Sequence, residues 1–310
     1  MTRSLRFAQS RHGAPPALLG LRLSAALIVV LAAVSAAAAG AAERLPSIPI
    51  APQLAQPQAP GLSLWWTGNA GWLLRAPEVL LGVDLVLEPD EPFLAEFSMD
   101  VRYERPLRAA DLTKLDLSLV SHAHGDHFAR RTTEVLLRVS RCRFLLPRSC
   151  LTVADELGIP EARRILAVPG EEIRLPGVTI LPVHAIHGDR FGAVYDEANL
   201  DDAGYLIETA GRRVFHPGDS VLQQRQLALQ GVDVLLVSIS EHNTWSENSA
   251  RLIEALRPRL ALPMHYDTYT KEIFWTLGFP DDVRARLSPE LRERFRPVRQ
   301  GERVDLPPTR

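Results

Sequence analysis

Apolar residues along the chain fall into short runs that end in small or polar residues, which is the pattern of buried β-strands. Residues 62–66 and 72–74 are two such runs, and the glycine-containing sequence 68–71 between them predicts a hairpin. Residues 204–207 and 213–215 form a second predicted hairpin. Further strands are predicted at 79–84, 115–120, around Phe144, and at 178–183, 232–239 and 260–264.

Helical patterns occupy the intervals between the later strands. The sequence predicts helices at 130–139, 221–229 and 249–256, and a largely helical, arginine-rich C-terminal part from about residue 271. In both halves of the chain, strands come first and helices later. Two mixed sheets packed face to face, with helices outside, is the simplest layered arrangement for this pattern. The predicted fold class is therefore α+β, a four-layer αββα sandwich.

The N-terminal residues 1–42 have a different pattern. Arg3, Arg6, Arg11 and Arg22 are basic, no acidic residue precedes Glu43, and residues 23–42 are all apolar or small. This is the layout of a secretory signal peptide, with an A-x-A-like cleavage site at 39–41. A retained membrane anchor is the alternative, because about 20 apolar residues can span a bilayer. The small residues favour cleavage, so we expect an exported, periplasmic or secreted protein.

Residues 43–61 are rich in proline and alanine, which predicts a linker ahead of a single domain at 62–310. The composition suits a large core, since 46% of the 310 residues are hydrophobic and 23% are charged. The net charge is -2, and no basic block of the kind that follows a phosphate backbone is present. We therefore expect no nucleic-acid partner, and a membrane contact only through an uncleaved N-terminal segment. The oligomeric state stays open.

The candidate chemistry concentrates directly after the predicted strand 115–120, in the sequence S-H-A-H-G-D-H-F at 121–128. Three histidines and one aspartate follow the pattern H-x-H-x-D-H, and a strand that ends in such a loop aims several ligands at one point. Neutral imidazole and carboxylate suit zinc, and also iron or manganese. The sequence therefore predicts a metal site with His122, His124, Asp126 and His127 as candidate ligands.

Further candidate ligands also follow predicted strands. His184 and His187 both come after the strand 178–183, and residue type alone leaves the choice between them open. Asp219 follows the second hairpin, where it either caps the helix that comes next or bridges two metal ions. His265 follows the strand 260–264. These strand ends predict that the segment 121–128 is one part of a larger site.

The H-x-H-x-D-H motif, a downstream His, the Gly-Asp-Ser sequence at 218–220 and the late His265 together resemble the metallo-β-lactamase superfamily. The closer resemblance is to the branch that includes L-ascorbate-6-phosphate lactonases and N-acyl-phosphatidylethanolamine phospholipases D. Residues 66–71, 102–107, 215–220 and 264–266 resemble further motifs of that branch. The resemblance covers residues from about 62 to 275, and the fold it implies is the αββα sandwich.

The resemblance also implies a pair of divalent metal ions in the cleft between the sheets. Zn²⁺ is expected, with Mn²⁺ or Fe²⁺ as alternatives. His187 is preferred over His184, because the sequence H-G-D-R at 187–190 resembles the family's His-x-x-Arg segment. Position by position, the implied ligands are His122, His124 and His187 for one metal, Asp126, His127 and His265 for the other, and Asp219 as the bridge.

A metal pair of this kind implies a hydrolase in which a metal-bridging hydroxide attacks an ester, lactone or phosphodiester. Asp126 would orient that hydroxide or take up a proton, and His242, Asn243 and Tyr266 are candidates for contacts to the substrate oxyanion. We expect a small-molecule or lipid-like substrate. Two alternatives stay open: an iron-dependent oxidoreductase on the same scaffold, and a non-catalytic metal-binding protein.

Two positions depart from the family pattern. Asn69 stands where the family often has His or Gln, so the substrate-side hydrogen bond of that residue is not carried over. Gly125 stands where the phospholipase-like members tend to have a larger residue. The second departure loosens the assignment to the phospholipase-like substrate class.

Overall fold

The computed structural model describes residues 44–58, 60–88, 92–188, 191, 200–240, 243–271, 273 and 276–308. The predicted signal peptide or anchor at 1–42 lies outside these residues. Within the described chain, no helix combines the length and the apolar character that a membrane crossing needs.

The described strands form two sheets. The strands are β1 Leu62–Gly68, β2 Gly71–Arg75, β3 Leu80–Val83, β4 Leu117–Leu119, β5 Arg143–Leu146, β6 Arg164–Leu166, β7 Ile173–Leu175, β8 Val178–His184, β9 Ala203–Thr209, β10 Arg212–His216, β11 Val234–Ser238, β12 Leu260–Met264 and β13 Arg303–Leu306. The first sheet has the order β13-β1-β2-β3-β4-β5-β6, and the second has the order β12-β11-β10-β9-β8-β7.

Both sheets are mixed, as predicted. In the first sheet, β1 to β3 form an antiparallel meander, whereas β3 to β6 run parallel. In the second sheet, β7 to β10 pair antiparallel and β10 to β12 pair parallel. Parallel neighbours need crossover connections, and these connections carry most of the helices between them.

The helices are short, and they lie mostly in the connections between parallel strands or in the C-terminal part. They are α1 Ala51–Leu54, α2 Pro92–Glu96, α3 Arg130–Val139, α4 Leu151–Glu156, α5 Gln224–Leu227, α6 Trp245–Leu256, α7 Pro280–Arg286 and α8 Pro289–Arg294. Three 3-10 turns add Ala109–Asp111, Arg148–Cys150 and Glu161–Arg163.

The first sheet has one layer of hydrophobic core on each of its two faces. In β1, Leu64 and Trp66 belong to the large cluster shared with the second sheet. Trp65 belongs to a separate cluster, called the outer cluster, which also contains Leu136 of α3. Successive side chains of a strand point to opposite faces, so this alternation shows that the first sheet is covered on both sides. Leu252 of α6 packs in the large cluster with the second sheet. The four-layer αββα prediction is confirmed.

The described part of the segment predicted to be a linker contacts the domain at several points. Ile50 is fully buried in the outer cluster, and its N–H donates to the carbonyl of Pro106 at 2.8 Å. Leu45 forms a β-bridge with Tyr103. Proline disfavours regular structure, which is why the composition indicated a linker, but the buried Ile50 anchors the segment. The compact unit accordingly begins at Arg44 and not at residue 62.

Two element predictions were incomplete. The C-terminal part forms α7 and α8, but it then adds β13, which pairs antiparallel with β1. A strand of only four residues is too short to be predicted from its own sequence pattern. The helix predicted at 221–229 is limited to α5. The helix begins only at Gln224, and before it the N–H of Val221 donates to the carbonyl of Ile186 at 2.8 Å, which ties this stretch to the segment after β8.

We expect Ile50→Ala to lower the free energy of unfolding by about 2–5 kcal/mol, because the substitution opens a cavity in the outer core. Leu45→Ala is the matched control in the same segment. The Leu45 side chain is 49% exposed, so its removal should change the free energy of unfolding by about 0.5 kcal/mol or less. Urea unfolding of both variants measures the difference, and equal small effects would restore the linker interpretation.

Candidate metal centre

The predicted ligands lie at one edge of the sandwich, where strands of both sheets end. β4 ends just before the residues 121–128, here called the metal loop. β8, β10 and β12 run in the same direction, and they end shortly before His187, Asp219 and His265. The carboxyl ends of strands that run in one direction meet at one edge of a sheet. Segments that are distant in sequence therefore converge here.

One tight turn sets the conformation of the metal loop. The N–H groups of His127 and Phe128 both donate to the carbonyl of His124, at 3.0 and 2.7 Å. Phe128 is buried in the outer cluster and fixes the end of the loop. A Cβ at Gly125 would lie 2.7 Å from the Cβ of Phe93, so glycine is required for α2 to approach this closely. This contact accounts for the glycine at position 125.

His122, His124 and His187 form the first cluster. The Nε2 of His122 lies 3.0 Å from the Nδ1 of His124, and the His187 ring centroid lies 5.1 and 4.8 Å from the other two. Ligand atoms of the three side chains all lie within 4.8 Å of one another. His184 points elsewhere, because its Nδ1–H donates to the carbonyl of Leu200 at 3.0 Å. The structure thus brings His187, and not His184, to the metal loop.

Asp126, His127 and His265 form the second cluster. The Nε2 atoms of His127 and His265 lie 3.3 Å apart. The Oδ2 of Asp126 lies 3.7 Å from the Nε2 of His127 and 3.5 Å from the Nε2 of His265. All three side chains are buried. Two imidazoles and one carboxylate therefore face a common point.

Asp219 joins the two clusters. Its Oδ2 lies 3.4 Å from the Nε2 of His187, 3.4 Å from that of His127 and 3.2 Å from that of His265. The alternative role as a helix cap does not apply, because α5 begins at Gln224 with Gln223 as its N-cap residue. One buried carboxylate oxygen is therefore shared between imidazoles of both clusters.

The turn before Asp219 is held by a buried histidine. The Nε2–H of His216 donates to the carbonyl of Ala70 at 2.9 Å, and its Nδ1 accepts from the N–H of Gly218 at 3.1 Å. Gly218 has φ +65, a conformation that glycine adopts without strain. His216 therefore links the β1–β2 turn to the end of β10 and fixes the direction in which Asp219 points.

Asp84 is a site residue that the sequence interpretation missed. Its carboxylate accepts hydrogen bonds from the N–H and Oγ–H of Ser121, both at 2.7 Å, and from the Nδ1–H of His127 at 2.8 Å. A carboxylate on Nδ1 fixes the tautomer in which Nε2 keeps its lone pair for a metal. The available signal was a charged residue inside the apolar run V-D-L-V-L at 83–87.

Burial and neighbouring charges shift the imidazoles in opposite directions. Burial lowers the pKa of His122 well below its usual value, and the neighbouring imidazoles add to this effect. Burial also acts to lower the pKa of His127, but the carboxylates of Asp219, Asp126 and Asp84 outweigh it and hold that pKa well above its usual value. The neutral form of His122, which can bind a metal, is therefore favoured, whereas His127 must lose a proton before its Nε2 can bind one.

The chemistry of the donor set fits divalent metal ions. Asp84, Asp126 and Asp219 are buried carboxylates, and burying several charges together is costly unless they are paired or coordinate a cation. The remaining donors are imidazole nitrogens, and imidazole with carboxylate is the donor set that zinc and comparable transition metals take. Each cluster can hold a metal through three side chains, which are three imidazoles in the first cluster and two imidazoles with one carboxylate in the second.

The other candidate catalytic residues are placed as follows. Tyr266 follows His265, and its ring stacks on Trp66 with centroids 5.2 Å apart. It lines two cavities of about 310 and 240 Å³, and burial raises the pKa of its hydroxyl. Asn243 is fully buried, and His242 lies outside the described residues. A cavity of about 790 Å³ that includes Lys114 and Arg141 contains none of the candidate ligands.

Comparison with known proteins identifies the class. The sequence model of the beta-lactamase superfamily domain matches residues 63–265, and the chain belongs to this superfamily. A metal-dependent hydrolase of the UPF0173 group from Cupriavidus taiwanensis is 27% identical over 91% of this chain and 99% of its own. Together with the His and Asp clusters, these matches define a metal-dependent hydrolase of the metallo-β-lactamase superfamily.

Solved structures agree on the fold. Igni18, a metallo hydrolase from Ignicoccus hospitalis, matches with a TM-score of 0.61 at 21% identity, over 79% of this chain and 98% of its own. CmlA, a diiron beta-hydroxylase from Streptomyces venezuelae, matches with a TM-score of 0.52 at 16% identity, over 67% of this chain and 45% of its own. At such identities the likeness concerns the fold alone.

We expect His187→Ala to lower the metal content of the purified protein, because it removes one of three donors from the first cluster. His184→Ala is the matched control, since the same residue type three positions earlier bonds to Leu200 and not to the cluster. Elemental analysis after dialysis measures bound metal per chain. A loss in His184→Ala with none in His187→Ala would reverse the assignment.

Proposed function

We propose that this protein is a binuclear hydrolase that cleaves an ester, lactone or phosphodiester bond. In this proposal the first cluster would hold one metal ion, the second cluster would hold another, and the Asp219 carboxylate would serve both. The observation that carries the proposal is the position of the Asp219 Oδ2, within 3.2–3.4 Å of imidazole nitrogens from both clusters. A carboxylate that served one metal alone would have no reason to face imidazoles of both clusters.

The chain's own residues supply the positioning in this chemistry. Bound divalent metal ions lower the pKa of water toward 7 and polarise a carbonyl or phosphoryl oxygen. Asp126 is buried beside both imidazoles of the second cluster, and those imidazoles lower the pKa of its carboxyl although burial acts to raise it. Asp126 therefore stays ionised, able to orient a water and to accept a proton at Oδ2. Tyr266 is the candidate for a contact to the substrate.

We propose Zn²⁺ as the metal and a small or lipid-like molecule as the substrate. The imidazole-rich donor set supports zinc. The aromatic pair of Trp66 and Tyr266, beside cavities of about 310 and 240 Å³, supports a partly apolar substrate of modest size. The likeness to lactonases and phospholipases D in the metal motifs supports the bond types named above.

An iron-dependent oxidoreductase is the second candidate, because CmlA shares the fold and contains two irons according to its name. The first motif of this chain argues against it, since the spacing H-x-H-x-D-H places histidine and not a carboxylate at its second position. Imidazole at that position favours a hydrolytic zinc site over an iron site with more carboxylate ligands.

The decisive experiment combines metal analysis with a substrate panel. The zinc-reconstituted protein should be colourless and should hydrolyse a member of a panel of lactones, phosphodiesters and N-acyl phospholipids. Asp126→Ala should lower kcat/KM by at least about 100-fold, because proton transfer and positioning are both lost. Asp233→Asn is the control, because Asp233 is a partly buried carboxylate paired with Arg212 and Arg259, away from both clusters. Visible iron absorption with redox turnover would favour the oxidoreductase instead.

We further propose that the mature enzyme acts outside the cytoplasm, with the residues 1–42 removed as a signal peptide. Expression of the full chain should yield a periplasmic or secreted protein whose intact mass corresponds to cleavage near 39–41. A full-length mass in the membrane fraction would indicate the retained anchor. A full-length protein in the cytoplasm would contradict export altogether.

A further inference from the structure

We infer that Asn69 is a positioning residue for the second cluster and has no such role for the first. The inference rests on the proposed two-metal site. Asn69 lies in the β1–β2 turn, and its side chain and its backbone reach different members of the second cluster. The consequence is that the two metal positions of this protein differ in how firmly the chain holds their ligands.

The side chain of Asn69 orients Asp126. Its Nδ2 donates to the Oδ2 of Asp126 at 3.1 Å and to the backbone carbonyl of Asp126, also at 3.1 Å. The two bonds hold both the carboxylate and the peptide that carries it. A hydrogen bond to a metal-binding carboxylate fixes its orientation, which is the usual task of groups behind the ligands.

The backbone of Asn69 holds the segment that carries His265. The carbonyl of Asn69 accepts from the N–H of His265 at 2.9 Å, and its own N–H donates to the Oγ1 of Thr268 at 2.7 Å. The same carbonyl accepts from the Nε1–H of Trp66 at 2.8 Å. One residue therefore fixes two of the three ligands of the second cluster, from strands in different sheets.

Backbone conformation explains why these bonds are needed. His265 has φ 62 and Asn69 has φ 48, both in the left-handed region. Asparagine and histidine are both enriched among the non-glycine residues found in this region, but a residue there still needs a restraint from its surroundings to persist. The bond from the N–H of His265 to Asn69 is such a restraint. Asparagine also offers a short amide donor, so a single side chain meets both requirements.

The first cluster lacks an equivalent restraint from this turn. None of the hydrogen bonds of Asn69 reaches His122, His124 or His187. His124 is exposed, whereas all three ligands of the second cluster are buried. His127 is in addition held by Asp84. Removal of the Asn69 amide should therefore weaken one metal position and leave the other intact.

The test is a Zn²⁺ titration of Asn69→Gly against a chromogenic chelator. Glycine keeps the positive φ and the backbone bonds, and only the side-chain amide is lost. The parent should bind two ions, and Asn69→Gly should bind one of them about 10–100-fold more weakly with the other unchanged. Ala210→Gly is the matched control, because Ala210 has φ 50 in the β9–β10 turn, at the opposite end of β10 from Asp219. It should titrate like the parent.

Two backgrounds assign the weakened position. In His187→Ala, where the second cluster alone is complete, Asn69→Gly should weaken the remaining ion by the same factor. In His265→Ala, where the first cluster alone is complete, Asn69→Gly should have no effect on Zn²⁺ affinity. Asn69→Asp serves as a second variant, since it keeps the shape and exchanges the donor for an acceptor that faces Asp126. If the Asn69→Gly variant does not fold, Asn69→Asp is titrated in its place.

The outcomes separate the two proposals. A parent that binds two ions, with both affinities unchanged in Asn69→Gly and Asn69→Asp, would overturn the inference and leave the proposed function standing. A weakened first cluster with an intact second one would overturn it as well. A parent that binds no Zn²⁺ would remove the proposed function and the inference together.

Discussion

The structure depends on the burial of several carboxylates at the edge where the two sheets meet. Asp84, Asp126 and Asp219 lie among imidazoles at distances below 4 Å, with almost no exposure to water. Such a cluster is stable only if positive charge balances it, from imidazolium, from metal ions or from both. The packing of the sandwich brings these carboxylates and imidazoles together. Their combined charge favours a bound cation, and this is why the cluster can serve as a metal site.

Two residues behind the ligands convert this cluster into an ordered site. Asp84 fixes the tautomer of His127, and Asn69 holds Asp126 and the His265 segment. Both come from the turns and strand ends of the first sheet, whereas His187, Asp219 and His265 come from the second. The geometry of the site is therefore a property of how the two sheets face each other, and a shift between them would separate the clusters.

Much of the fold was predictable from local pattern. The strands of the αββα layers were predicted from apolar runs, because burial of a strand on both faces leaves a continuous apolar segment, and α3 at Arg130–Val139 was predicted from its helical pattern. The failures share a physical cause. Ile50 and β13 depend on contacts with distant partners, Pro106 and β1, that four or five residues do not reveal. The first residues of the helix predicted at 221–229 are instead tied to the segment after β8, through the bond from Val221 to Ile186.

The sequence by itself determined which residue types follow the strands, and hence the donor set and the superfamily. Only the tertiary structure placed His187 and not His184 beside the metal loop, removed the helix-cap role of Asp219, and revealed Asp84 and Asn69 as hydrogen-bond partners of candidate ligands. Local sequence sets which residue follows a strand. Distances between strand ends depend on strand order, register and the packing of one sheet on the other, and these quantities are set by the whole chain.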